Sequence, residues 1–181
     1  MALITLFMFA CLASPLLHSN SATATAASSA LVNPVCDLTT NSAFCHALLD
    51  PFNSTTDPYE LADVVFGFTY YNATSTKDYI HLWLRSNGNN TKPDMRDGML
   101  ECEGYYKQAI SALQKVSKDL EKRYSKRLGE LATYVEEGGL GCEVAFTHGY
   151  PDDIIAKKNQ NFIILADICV IVSGLFAPIV N

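Results

Sequence analysis

The run MRDGMLECEGYYKQAISALQKVSKDL, residues 95–120, decides the fold. Its apolar residues Met95, Met99, Cys102, Tyr106, Ala109, Leu113, Val116 and Leu120 are spaced 4-3-4-3-4-3-4, a seven-residue repeat that lays one continuous stripe along a helix. Pro93 and Asp94 open that helix and Asp97 adds negative charge to its first turn. Lys118, Lys122 and Arg123 gather at the far end, where the helix dipole favours cations. A stripe of this length has to be buried against other helices, so the rest of the chain is searched for partners of the same period.

Upstream, a first long helix starts near Asp57-Pro58 and carries Leu61, Val65 and Phe68 on one face. Its apolar side resumes at Tyr79, Ile80, Trp83 and Leu84, and the polar interval Asn72 to Asp78 leaves open whether one helix runs through to Arg85. Ser86-Asn87-Gly88-Asn89-Asn90 is a loop. Downstream, Tyr124, Leu128, Leu131 and Val135 form a third seam whose phase extends to Cys142 and Ala145, with Gly138, Gly139 and Gly141 expected to weaken it. A last helix begins near Asp152-Asp153 with Ile155, Phe162, Ala166, Cys169, Val172 and Phe176. It is apolar nearly all round. Asp167 interrupts the run Phe162 to Val180 at about 2.5 to 3.5 kcal/mol on a membrane-insertion scale, so a central bundle helix is expected, with Asp167 reaching a polar partner or solvent. Before all of these, Leu31 to Asp50 offers two short helices, which a Cys36 to Cys45 bridge would staple. The expectation is all-α: an up-down-up-down four-helix bundle, axes about 20° apart, preceded by an N-terminal helical hairpin.

The chain has 181 residues, 49% of them hydrophobic and 18% charged, enough for one substantial core. A net charge of −6 supplies no wholly basic face and argues against nucleic acid. Residues 1–26 read as a secretory signal, with apolar Ala2 to Ala13 and A-x-A sites at Ala22-Thr23-Ala24 and Ala24-Thr25-Ala26. Sequons at Asn53, Asn72 and Asn89 agree with that route, so a secreted, extracellular protein is expected, with the vacuole as its other destination. Cys11 leaves with the signal, and Cys36, Cys45, Cys102, Cys142 and Cys169 remain. Five is odd, and Cys169, in the apolar segment Phe162 to Val172, is the natural free thiol. Placing Cys102 and Cys142 on facing seams would allow a bridge between the second and third long helices.

The chain carries no recognisable set of catalytic parts. His46, His81 and His148 fall in unrelated segments, there is no H-E-x-x-H, G-x-S-x-G or phosphate loop, and the cysteine spacing lacks a zinc pattern, so no metal or cofactor is expected. Glu101 with Glu103, and Glu136 with Glu137, point in different directions on a helix and make poor acid–base pairs. Tyr70-Tyr71 and Tyr105-Tyr106 are each expected to turn one ring to the core and leave one as a contact residue. The segment Lys115 to Arg127 holds Lys115, Lys118, Lys122, Arg123, Lys126 and Arg127 against Asp119 and Glu121, a local basic patch in an acidic chain.

Several of these residues together resemble the plant invertase and pectin methylesterase inhibitor family over Leu31 to Val180. They are the early pair Cys36 and Cys45, Leu61-Ala62, and Met99-Leu100-Glu101-Cys102-Glu103-Gly104-Tyr105-Tyr106, which is similar to the family's Ala-Leu-x-x-Cys-x-x-x-Tyr. Cys142 followed by Phe146, and an Asn-bearing apolar last helix from Asn161 to Leu175, complete the set. The resemblance implies an inhibitor domain over 27–181, disulfides Cys36 to Cys45 and Cys102 to Cys142, no catalytic residues, and a secreted plant carbohydrate-active enzyme as partner. Where many members carry a Ser-Ala-Ala-Leu-type stretch, this chain reads Leu131-Ala132-Thr133-Tyr134-Val135-Glu136-Glu137. Where invertase-directed members carry Pro-Lys-Phe, it reads Ser125-Lys126-Arg127, which tilts the expected target to pectin methylesterase with invertase as the alternative. The expected interface is the face of the second and third long helices, with Tyr105, Lys115, Lys122, Arg123, Lys126 and Arg127. A secreted or membrane-anchored bundle without inhibitory activity is the reading from another class.

Overall fold

The computed structural model describes residues 30–87, 90–146 and 149–177; the expected signal, Asn89 and His148 lie outside them. Helices α1 (Val32–Leu38) and α2 (Ser42–Leu49) form a hairpin followed by one 3-10 turn, Asp50–Phe52. Four long helices follow: α3 (Pro58–Asn87), α4 (Pro93–Glu121), α5 (Leu128–Val144) and α6 (Asp153–Gly174). Each packs on the next and α6 packs back on α3, which closes the square of the expected bundle. No strand occurs among the described residues.

The 4-3 stripe of α4 faces the interior as its spacing requires. Met99, Cys102, Tyr106, Ala109, Leu113, Val116 and Leu120 are buried, and only Met95, in the first turn, is half-buried. Fully burying side chains of this size contributes about 1.5 to 3 kcal/mol for each large one.

The polar interval of α3 does not interrupt it, so the first long helix is a single element of about 45 Å. Thr69 and Thr76 point inward, and their hydroxyls donate to the carbonyls of Val65 and Asn72 one turn back, at 2.8 Å each. Those bonds satisfy two buried hydroxyls on the helix's own backbone. Phe68, expected in the core, is instead at the rim, where Phe52 meets it edge-on at 6.4 Å; Phe66 occupies the interior.

The glycines of α5 do not weaken it either. A Cβ on Gly138 would lie 2.7 Å from that of Ala109, and one on Gly141 would run into the Tyr105 ring. The missing side chains let α5 approach α4 closely, and Cys102 and Cys142 pair across that seam with Cα atoms 4.2 Å apart. Tyr124, expected on the α5 seam, lies exposed in the connector before the helix.

The hairpin is tied to the bundle by polar and apolar contacts. Cys36 and Cys45 close it. Asp167 of α6 accepts from both the N–H and the hydroxyl of Thr40 at 2.8 Å, the polar partner its position called for. The N–H of Leu31 donates to the Thr55 carbonyl at 2.9 Å, while Val32, Val35 and Leu49 are buried. Among the described residues, no helix is long and apolar enough to cross a membrane.

Candidate partner-binding face

Of the expected interface residues, Tyr105 and Lys115 on α4 and Arg127 at the entry to α5 line one open groove of about 410 Å³. Gln108, Ser111, Glu130 and Tyr134 share it. Tyr105 is half-buried because its ring lies over Gly141, so its orientation is fixed by packing, whereas Tyr134 stands exposed on α5. Tyr106, its neighbour in sequence, goes to the core, as expected of that pair; Tyr70 and Tyr71, by contrast, are both exposed, with α3 burying Thr69 and Ala73 beside them.

Lys122 and Lys126 stand exposed in the six-residue connector 122–127, beyond the end of the groove. The two arginines of the connector are bound back into the fold. Arg127 grips the carboxylate of buried Asp119 with both oxygens at 2.8 and 2.9 Å. Arg123 does the same to Asp57 at 2.9 and 3.1 Å, with its guanidinium 4.4 Å from the centre of the Tyr59 ring. Among the described residues, Lys115, Lys118, Lys122 and Lys126 form no ion pair with a carboxylate. The charge this face can offer a partner is therefore carried by lysines, on flexible stems, with the arginines acting as internal braces.

The buried interior behind the groove holds a polar centre that the spacing did not reveal. The Tyr106 hydroxyl donates to Asn159 Oδ1 at 2.9 Å, and Asn159 Nδ2 donates to the Gly139 carbonyl and to the Tyr150 hydroxyl at 3.1 and 2.9 Å. Every polar atom of the Asn159 amide is thus partnered. Burial pushes the Tyr106 hydroxyl well above its ordinary pKa, so it stays a donor. Asn161, the amide expected in the last helix, is only half-buried; the interior amide is Asn159, two residues earlier.

Cys169 is a buried free thiol 3.2 Å from the Thr69 hydroxyl, and burial pushes its pKa up to about 12, which keeps it inert. His46 and His81 sit apart on α2 and α3, each beside a carboxylate, Asp37 at 3.8 Å and Glu103 at 3.4 Å. Among the described residues, no group of three His, Cys, Asp or Glu is placed to hold a metal. Asn53 is exposed in the turn after Phe52, and Asn72 is half-buried in the middle of α3.

Solved structures with this architecture are known. The chain is similar to the crystal structure of mutant form A of a pectin methylesterase inhibitor from Arabidopsis, at TM-score 0.74 and 18% identity over 82% of this chain and 99% of that one. It is also similar to that of a pectin methylesterase inhibitor from Arabidopsis thaliana, at TM-score 0.61 and 18% identity over 81% and 96% of the two chains. At such identity the likeness speaks for the fold alone. Comparison with curated protein sequences returned no match. Residues 30–170 match the profile of the family described as plant invertase/pectin methylesterase inhibitor. With that match covering most of its length and both disulfides in place, the chain belongs to the plant invertase/pectin methylesterase inhibitor family, whose members are inhibitors and not enzymes.

Proposed function

We propose that the protein is a secreted inhibitor of pectin methylesterase which seats its α4–α5 face on the enzyme and closes the substrate cleft in a one-to-one complex. The observation that carries this is the composition of that face: a groove with two tyrosines, Tyr105 and Tyr134, flanked by Lys115 and continued by the exposed Lys122 and Lys126. Tyrosine supplies contact area at small entropic cost, and lysines on an otherwise acidic protein steer it to a surface of opposite sign. Pectin methylesterase is favoured as target because only Lys126 agrees with the Pro-Lys-Phe of invertase-directed members; Ser125 and Arg127 do not, and Arg127 is occupied by Asp119. Invertase is the alternative.

Export to the apoplast, or to the vacuole by the same route, agrees with the two disulfides, which persist in oxidising compartments. That passage would present the sequons to glycosylation, the exposed Asn53 more openly than the half-buried Asn72.

The test is a titration. Purified residues 27–181 are added in steps to a pectin methylesterase and, separately, to an invertase at mildly acidic pH, and residual activity is followed. A linear loss of pectin methylesterase activity that ends at one equivalent is expected. The same curve with invertase transfers the proposal to that enzyme, and full activity of both at excess protein removes the inhibitory reading.

A further inference from the structure

Arg123 is the one non-glycine residue with positive φ among those described, at 51°, a conformation that side chains other than glycine rarely adopt. It ends α4, and its N–H and that of Tyr124 donate to the carbonyls of Leu120 and Asp119 at 2.8 Å, so the left-handed residue closes the helix. Glycine would be the ordinary choice here, and an arginine has to be held from outside. Three contacts hold it. Asp57 grips the guanidinium, the Tyr59 ring lies beneath it, and the Tyr59 hydroxyl donates to the Arg123 carbonyl at 2.8 Å. Asp57 and Tyr59 are themselves fixed. The Asp57 carboxylate accepts the Tyr59 N–H at 2.9 Å and so caps α3, and the Tyr59 ring packs against Phe176 at 4.8 Å. The Tyr59 N–H and the Arg123 guanidinium hold the Asp57 carboxyl below the usual carboxylate range, so the brace is charged at any mildly acidic pH.

We propose that Asp57, Tyr59 and Arg123 are positioning residues: they clamp the 122–127 connector to the start of α3, so that Lys122 and Lys126 meet the target already ordered. This rests on the α4–α5 face being the docking face. Ordering the connector in advance removes an entropic cost that binding would otherwise carry, which lowers the dissociation rate of the complex.

The experiment uses Asp57→Asn, Tyr59→Phe and their combination, none of which removes a tryptic site. Asparagine still caps α3, so the helix start survives. Native protein is treated with trypsin, and fragments are resolved with and without reductant. Cleavage in the connector leaves two pieces joined by the Cys102–Cys142 disulfide, which separate only on reduction. The double variant is expected to be nicked there about tenfold faster than the parent, at rates elsewhere in the chain that match the parent. Equal rates in the connector overturn the clamp, and so does acceleration spread evenly over the chain, which reports general loosening. Neither outcome depends on the target's identity. In parallel, the double variant should dissociate several-fold faster from whichever enzyme the parent inhibits. An unchanged dissociation rate in a protein that is nicked faster overturns the role in binding. A parent that inhibits neither enzyme sinks the docking face itself, while the protease result still decides the clamp.

Discussion

At the scale of single residues, the fold depends on a few polar side chains whose partners are distant in sequence. Asn159 is buried on α6 and bonds to Tyr106 on α4, to the Gly139 carbonyl on α5 and to Tyr150. Among the described residues it is the one amide that reaches both α4 and α5 from α6, and it specifies their relative height more sharply than apolar contacts do. Replacing it with leucine strands the buried Tyr106 hydroxyl by removing its Asn159 acceptor. Asn159→Leu is expected to lower stability by about 2 to 4 kcal/mol and Tyr106→Phe by about 1 kcal/mol. Combined, the two should cost less than their sum, because the stranded hydroxyl is gone. Urea denaturation of the four proteins in this cycle checks it, and strict additivity would mean that the bond couples nothing. None of this was visible in the sequence. Asn159 stands among polar and apolar neighbours alike, Asn161 looked equally eligible, and only the rotation of α6 in the bundle decides which amide faces inward. The arginines tell the same story, since Arg123 finds Asp57 at a separation of 66 residues.

Among the elements, α4 was the most legible, because a 4-3 stripe flanked by polar residues has one way to be buried. The ends of α4 and α6 followed from Pro93 and from Asp152, whose carboxylate accepts the Ile155 N–H at 2.9 Å. Continuity was harder to read. Composition left open whether the helix continues between Asn72 and Asp78, and it runs through with Thr69 and Thr76 satisfied on its own backbone. Glycines at 138, 139 and 141 suggested a weakened helix, and they are instead where neighbours come close, Gly139 against Phe162 and Ile163 of α6 and Gly138 and Gly141 against α4. That close seam gives the two disulfides unequal weight. Cys102–Cys142 closes a separation of 40 residues between two core helices, worth about 4 kcal/mol in the chain-entropy account. Cys36–Cys45 closes 9 residues within the hairpin, worth about 2.5 kcal/mol. Cys102→Ser should therefore lower the melting temperature further than Cys36→Ser, and should also weaken inhibition more, since α4 and α5 build the docking face. Calorimetry ranks the two directly; equal melting temperatures would contradict the assignment of the seam as the main lock.

Across the whole molecule, the acidic chain places its exposed lysines unevenly. Lys115, Lys118, Lys122 and Lys126 run down α4 into the connector; Lys115 lines the groove that holds Tyr105 and Tyr134, whereas Lys118 turns to the cleft between α3 and α4. The basic patch was legible from the sequence, but its division was not: four of its six cations are lysines offered to solvent, and the two arginines are held by Asp57 and Asp119. The central claim is that this end of the α4–α5 face makes the contact with the enzyme. Its most direct test is the inhibition constant of Lys115→Glu/Lys126→Glu beside that of Lys77→Glu, which reverses a charge on α3. The double variant is expected to bind the target at least about tenfold more weakly while Lys77→Glu matches the parent. Inhibition by the double variant at the parent's strength, or an equal loss in Lys77→Glu, would contradict the claim.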